Sequence, residues 1–161
     1  MSHNKPSLYL VSVLLFMLIL PAGCIAFEYL SHRSPLGWIL IGRWFVFWCV
    51  GVRLLIAGLR QVTKPSFTAQ EIFHFTGEES YPVIRELGFG NISIGLLGIL
   101  TMIRPEWCLP AAVTGGLYYG LVGTMHVWKK PAGTNELIAL VSDLYLSGIM
   151  LLYLLYKLIL V

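Results

Sequence analysis

Apolar residues along the chain fall into long runs, not into alternation. Residues 8–27, 36–60, 86–103, 109–127 and 137–157 are such runs, and Arg43 and Arg53 are the charges set inside the second. The stretches between them carry the Pro, Gly and charged residues. About 20 residues at 1.5 Å rise cross a ~30 Å hydrocarbon layer. A membrane strand needs only ~10 residues and alternates in polarity, so these runs predict helices, each satisfying its own backbone polar groups in lipid. The expected fold is all-α: one integral membrane helical bundle over residues 1–161, with about five transmembrane helices. Four is the alternative if two runs merge or one is lost. Residues 61–84 form the longest polar connector.

The first run has competing readings. Lys5 ahead of it and Pro21-Ala22-Gly23-Cys24 within it partly supply the features of a cleaved signal or a lipoprotein site. Pro21, however, stands where that site usually has Leu, and the run continues past Cys24. A retained span is expected.

Composition agrees with lipid as the solvent. Hydrophobic residues make up 57 % and charged residues 12 %, against roughly 25 % charged in soluble domains. Mean hydropathy is +0.78. The net charge of +3 is small, and no basic run interleaved with aromatics suggests nucleic acid. Tyr29, Trp38, Trp107 and Trp128 lie near run ends, where an interfacial aromatic belt would place them. Cys24, Cys49 and Cys108 form no CxxC or zinc spacing and read as small buried hydrophobes.

Lysine and arginine bias sets orientation. With a cytoplasmic N-terminus, Lys5, Arg60, Lys64, Arg85, Lys129 and Lys130 stand on the cytoplasmic side, and Arg33, Arg104 and Lys157 on the other. That topology gathers polar residues at one end of the bundle. Arg53 lies in the second run, Glu71 and His74 in the connector, and Glu86 and Asn91 in the first turns of the third run. His126 ends the fourth run, Asn135 and Glu136 lead into the fifth, and Asp143 lies inside it. Ionisable residues in a membrane are costly unless paired or wet. An ion pair of Arg53 with Asp143 or Glu86 is therefore expected at this end, and a structural Glu28–Arg43 pair at the other.

Several chemistries suit this set. Glu71-xx-His74 places a carboxylate and an imidazole on one helical face. With Glu86, His126 and Asp143 it makes a two-histidine, three-carboxylate group suited to iron, manganese or zinc. His74 and His126 would serve as axial haem ligands if they faced each other across a wide pocket. The plainer alternative is a hydrogen-bonded network that fixes the connector to the bundle. Asp143, if unpaired, is a candidate proton carrier. No nucleophile elbow, Walker loop, GxGxxG or HExxH is present. Small residues mark close helix contacts: Gly88, Gly95 and Gly98 on the third run, and Gly116 and Gly120 with Gly123 and Thr124 on the fourth. The Gly116/Gly120 face is a candidate contact for a second copy or another membrane protein.

Arg85-Glu86-Leu87-Gly88-Phe89-Gly90-Asn91, followed by Gly95-Leu96-Leu97-Gly98, resembles the E-[LV]-G-F-A-N…G-x-x-G core of a family of small bacterial multi-pass membrane proteins of unknown function. Gly123-Thr124-Met125-His126 resembles the family's Gly-x-x-x-His with shifted spacing, and Asn135 and Asp143 match its loop Asn and last-span Asp. The resemblance covers roughly residues 50–150. The connector departs from it: the family reads Ile-Gly-Trp and Ser-Pro-Phe-Gln where this chain has Glu71-Ile72-Phe73-His74. The resemblance implies a shared bundle and polar cluster in a bacterial cytoplasmic (inner) membrane, and no activity. Three readings follow. The cluster binds a metal ion or small polar ligand for transport or redox work; or it only orients helices in an accessory subunit; or the chain is a lipid- or quinone-linked enzyme.

Overall fold

The computed structural model describes residues 8–32 and 35–160. Lys5 and Arg33, which contribute to the charge bias, lie outside them. Among the described residues there is no strand. The long helices are α1 (Leu8–Ser31), α2 (Trp38–Thr63), α3 (Glu78–Leu100), α4 (Cys108–Lys129) and α5 (Thr134–Ile159). All but α4 are long and apolar enough to cross a membrane. α4 has 22 residues, but its glycines, tyrosines and threonines dilute its hydropathy.

α2 packs along α3, and α4 along α5. The outer surface is apolar: Leu18, Phe27, Leu59, Leu117, Val141 and Leu151 are all exposed. The interior holds Val46, Val50, Leu146 and Met150 together with polar groups, among them Asn91, His126, Glu136 and Asp143. Such an inside-out distribution suits lipid as the solvent. Trp128 is 81 % exposed, and Tyr29 and Trp107 are exposed as well.

Glycines set the helix spacing. A methyl group at Gly95 would meet the Leu55 backbone nitrogen at 2.5 Å, and one at Gly98 would meet the Gly51 nitrogen at 2.5 Å. The α2 and α3 backbones are therefore in direct contact. Gly116 faces Met150 and Gly120 faces Ser147, and Ser147 donates to the Gly116 carbonyl at 3.1 Å. The Gly116/Gly120 face is thus taken by the chain's own α5. It is not open to a second copy or a partner, because tight α4–α5 packing uses the same missing side chains.

The connector departs from the expected polar loop. Residues Pro65–Phe67 and Thr68–Ile72 are helical turns folded back on the bundle, with Thr68, Ala69 and Ile72 buried. α3 starts earlier than residue 86, because Pro82 sits in the first turn of Tyr81–Leu100. That position suits a fixed φ and a missing N–H. Arg85 and Glu86 consequently lie beyond the helix start and are exposed.

Candidate functional site

Five elements meet around a cavity of about 170 Å3. Tyr9 and Val13 come from α1, Arg53 and Gln61 from α2, Asn91 from α3, Tyr118, Tyr119 and His126 from α4, and Asp143 from α5. The folded-back connector covers it with Phe67, Thr68, Ile72 and Phe73. Local sequence explains the cover. Lys64 leaves the helix at φ −137° and ψ 71°, and Pro65 starts a new turn in another direction.

Arg53 is the hub. It follows a π-helical stretch, Val46–Val52, whose wider turns are common beside functional sites. The Cys49 carbonyl in that stretch accepts from Tyr119 Oη at 2.7 Å. Arg53 in turn lies over the Tyr119 ring, 5.2 Å from its centroid. Its Nη1 donates to Asp143 Oδ1 at 3.4 Å and its Nη2 to Ser142 Oγ at 3.2 Å. The Arg53 and Asp143 side chains are only 13 % and 8 % exposed, so each charge depends on the other. Beside them Asn91 Nδ2 donates to Gln61 Oε1 at 2.7 Å. Asn91 Oδ1 is buried and has no hydrogen-bond partner.

Next to the cavity lies a second cluster centred on Glu136, which is 1 % exposed. His74 Nε2 is 3.2 Å from Glu136 Oε2, and His126 Nδ1 is 3.4 Å from Glu136 Oε1. The Ala132 backbone N–H donates to Oε2 at 2.9 Å. Glu71 Oε2 accepts from Asn135 Nδ2 at 3.1 Å. Together these contacts fasten the far end of the connector to α5. His74 adopts φ 58°, a left-handed conformation that a histidine tolerates better than most residues.

A family model spans residues 11–159. The chain belongs to that family of unknown function, DUF6790. No curated protein and no solved structure matches the chain. The fold divides the polar residues of this DUF6790 chain into groups that their sequence spacing does not show. Arg53, Asn91, His126 and Asp143 line one cavity. Glu71, His74 and Asn135 fasten the connector. Glu86 is exposed and stands apart from both groups, because the inward stripe of α3 runs through Ile84, Gly88, Asn91 and Gly95 and Glu86, two residues off it, faces away from the bundle.

The two-histidine, three-carboxylate set for iron, manganese or zinc is therefore not assembled. Among the described residues no group of three or more His, Cys, Asp and Glu is placed to hold a metal ion. The haem geometry is also absent, since both histidines turn to the Glu136 carboxylate and not to each other across a pocket. Gln61 and Tyr119 are the members of this DUF6790 site that sequence reasoning missed; Glu136 was placed at this end of the bundle but given no part in the site. That part could have been found from its place on the first turn of the last helix, within helical reach of the preceding loop.

Glu136→Gln keeps the size of the side chain but removes its charge from two histidines and one N–H. It should cost about 1–3 kcal/mol, read from thermal unfolding in detergent. His74 is 43 % exposed, and His74→Ala should cost about 1 kcal/mol or less. Limited proteolysis of His74→Ala should nevertheless cut the connector faster than in the parent chain, because the fastening at its far end is lost.

Proposed function

We propose that the chain is a multi-pass inner-membrane protein, N-terminus in the cytoplasm, that binds a small polar ligand in the cavity beneath the connector. One observation carries this reading. A half-open space of about 170 Å3 lies between the helices and is lined by the buried Arg53–Asp143 pair, Gln61, Asn91 and His126. A purely structural network would leave no such space, because helices in lipid associate by close packing. The ligand reading is preferred to a metal ion because Glu136 already occupies the histidines. The connector serves as the cover through which the site communicates with the cytoplasm, for transport or for redox chemistry on the ligand.

Native mass spectrometry of the full chain released from its own membrane tests this. The expected result is a bound mass other than phospholipid or detergent, retained by the parent chain and lost in Val122→Trp, which fills the cavity. A parent chain that carries nothing, with Val122→Trp more stable than the parent, would favour the accessory-subunit reading.

A further inference from the structure

We propose that this cavity takes an uncharged, single-ring headgroup of hydroquinone type, carried on an apolar chain that reaches it from the lipid between α1 and α5. The inference rests on the ligand reading above and names the ligand's chemistry.

Size comes first. A dry cavity of about 150 Å3 in another protein holds one benzene ring, so about 170 Å3 here suits one six-membered ring with polar substituents. The walls are aromatic, with Tyr9, Phe67, Tyr118 and Tyr119 around the space, and flat rings pack well against such walls. Charge comes second. Arg53 is paired with Asp143, and His126 is hydrogen-bonded to Glu136, so the buried part of the lining offers no unpartnered charge to an ion; Arg60, which also lines the space, is exposed and stacks on Phe67. A charged ligand would leave one group uncompensated in a low-dielectric site.

Hydrogen bonding comes third. Asn91 Oδ1 is an acceptor with no partner, on a residue that lines the cavity and is 2 % exposed. A buried carbonyl left unpaired costs about 1–3 kcal/mol, which a ligand O–H would recover. The Arg53 guanidinium, which also lines the space, can offer N–H donors to the ring's second oxygen.

The route to lipid is the last part. An apolar groove of about 450 Å3 runs between α1 and α5, lined by Leu10, Leu14, Leu18, Leu137 and Val141 among others. Val13 lines both the groove and the cavity. Ser142 lines the groove and contacts Arg53. A ring seated by Arg53 and Asn91 can therefore leave its tail in the groove, with Val13 at the passage.

The test uses the full chain in nanodiscs of synthetic phospholipid, under anaerobic conditions, with binding read by calorimetry. Three probes are compared: a benzoquinol bearing one isoprenoid unit, the same ring without the tail, and the isoprenoid alcohol without the ring. The tailed quinol should bind tightest. Asn91→Leu should weaken it about fivefold or more, the loss of one hydrogen bond. Val141→Trp, at an exposed residue that lines the groove and not the cavity, should weaken the tailed quinol while leaving the bare ring's weaker binding unchanged, which keeps the proposal testable if Asn91→Leu does not fold. Equal binding of the alcohol would show a groove for any apolar chain and overturn the proposal. Equal binding of the bare ring would overturn access from lipid. A native ligand retained by mass spectrometry that the quinol does not displace would sink this inference alone. No retained ligand of any kind would sink the ligand reading with it.

Discussion

Gly95→Leu should prevent the bundle from closing. Even the first carbon of the new side chain would stand 2.5 Å from the Leu55 nitrogen, 2.9 Å from its Cα and 3.0 Å from the Gly51 carbonyl. These are backbone atoms of the neighbouring helix, so no side chain can rotate away to make room. α2 and α3 must separate, and their separation also moves Arg53 on α2 from Asn91 on α3. Overpacking ordinarily costs about 1–3 kcal/mol, and a clash of two helix backbones belongs at or above the top of that range. Expression of the variant, extraction in mild detergent and thermal unfolding measure the effect. Gly90→Ala is the control, because nothing stands within 4 Å of its added carbon, and its melting point should match the parent's.

Arg53→Gln and Asp143→Asn should each be severely destabilising, and the two together should not be. The pair is formed at 3.4 Å with little solvent on either side chain. Removing one partner leaves an uncompensated charge inside the bundle, a loss of about 3–5 kcal/mol. Removing both leaves two amides able to hydrogen-bond to each other, and most of the stability should return. A double-mutant cycle in detergent or bicelles reads the coupling. The folded double variant also separates the two functional readings. If the pair only orients helices, Arg53→Gln/Asp143→Asn should behave as the parent in every respect. If it serves a ligand, the variant should fold and bind nothing.

Much of the fold was legible in the sequence because helix length and hydropathy are local properties. Runs near 20 residues gave the helices, and the depths of Arg53 and Asp143 along their runs brought them to one level. Glu28 and Arg43 were paired by the same reasoning, and they meet at 3.1 Å, with Trp44 Nε1 donating to Glu28 at 2.9 Å. Rotation about a helix axis was not legible. Glu86 stood near Arg53 in depth but turns outward, because the buried stripe of α3 runs through Ile84, Gly88 and Asn91 and Glu86 lies on the opposite face. The connector was also hidden. Its polar residues suggested a loop, yet Ala69 and Ile72 are apolar on one side and buried against the bundle. Glu136 was placed at the right end but given no role, because that role arises only when the connector folds back and presents His74 to it. The family match over residues 11–159 adds membership without chemistry, so the cavity must be read from its own residues.

The most direct measurement is an experimental density map of the protein taken from its native membrane. Compact non-protein density between Arg53 and Asn91, within hydrogen-bond distance of both, is the predicted result. A cavity closed by Phe67 or Tyr118, with the Asn91 carbonyl bonded to protein and no unassigned density, would contradict it.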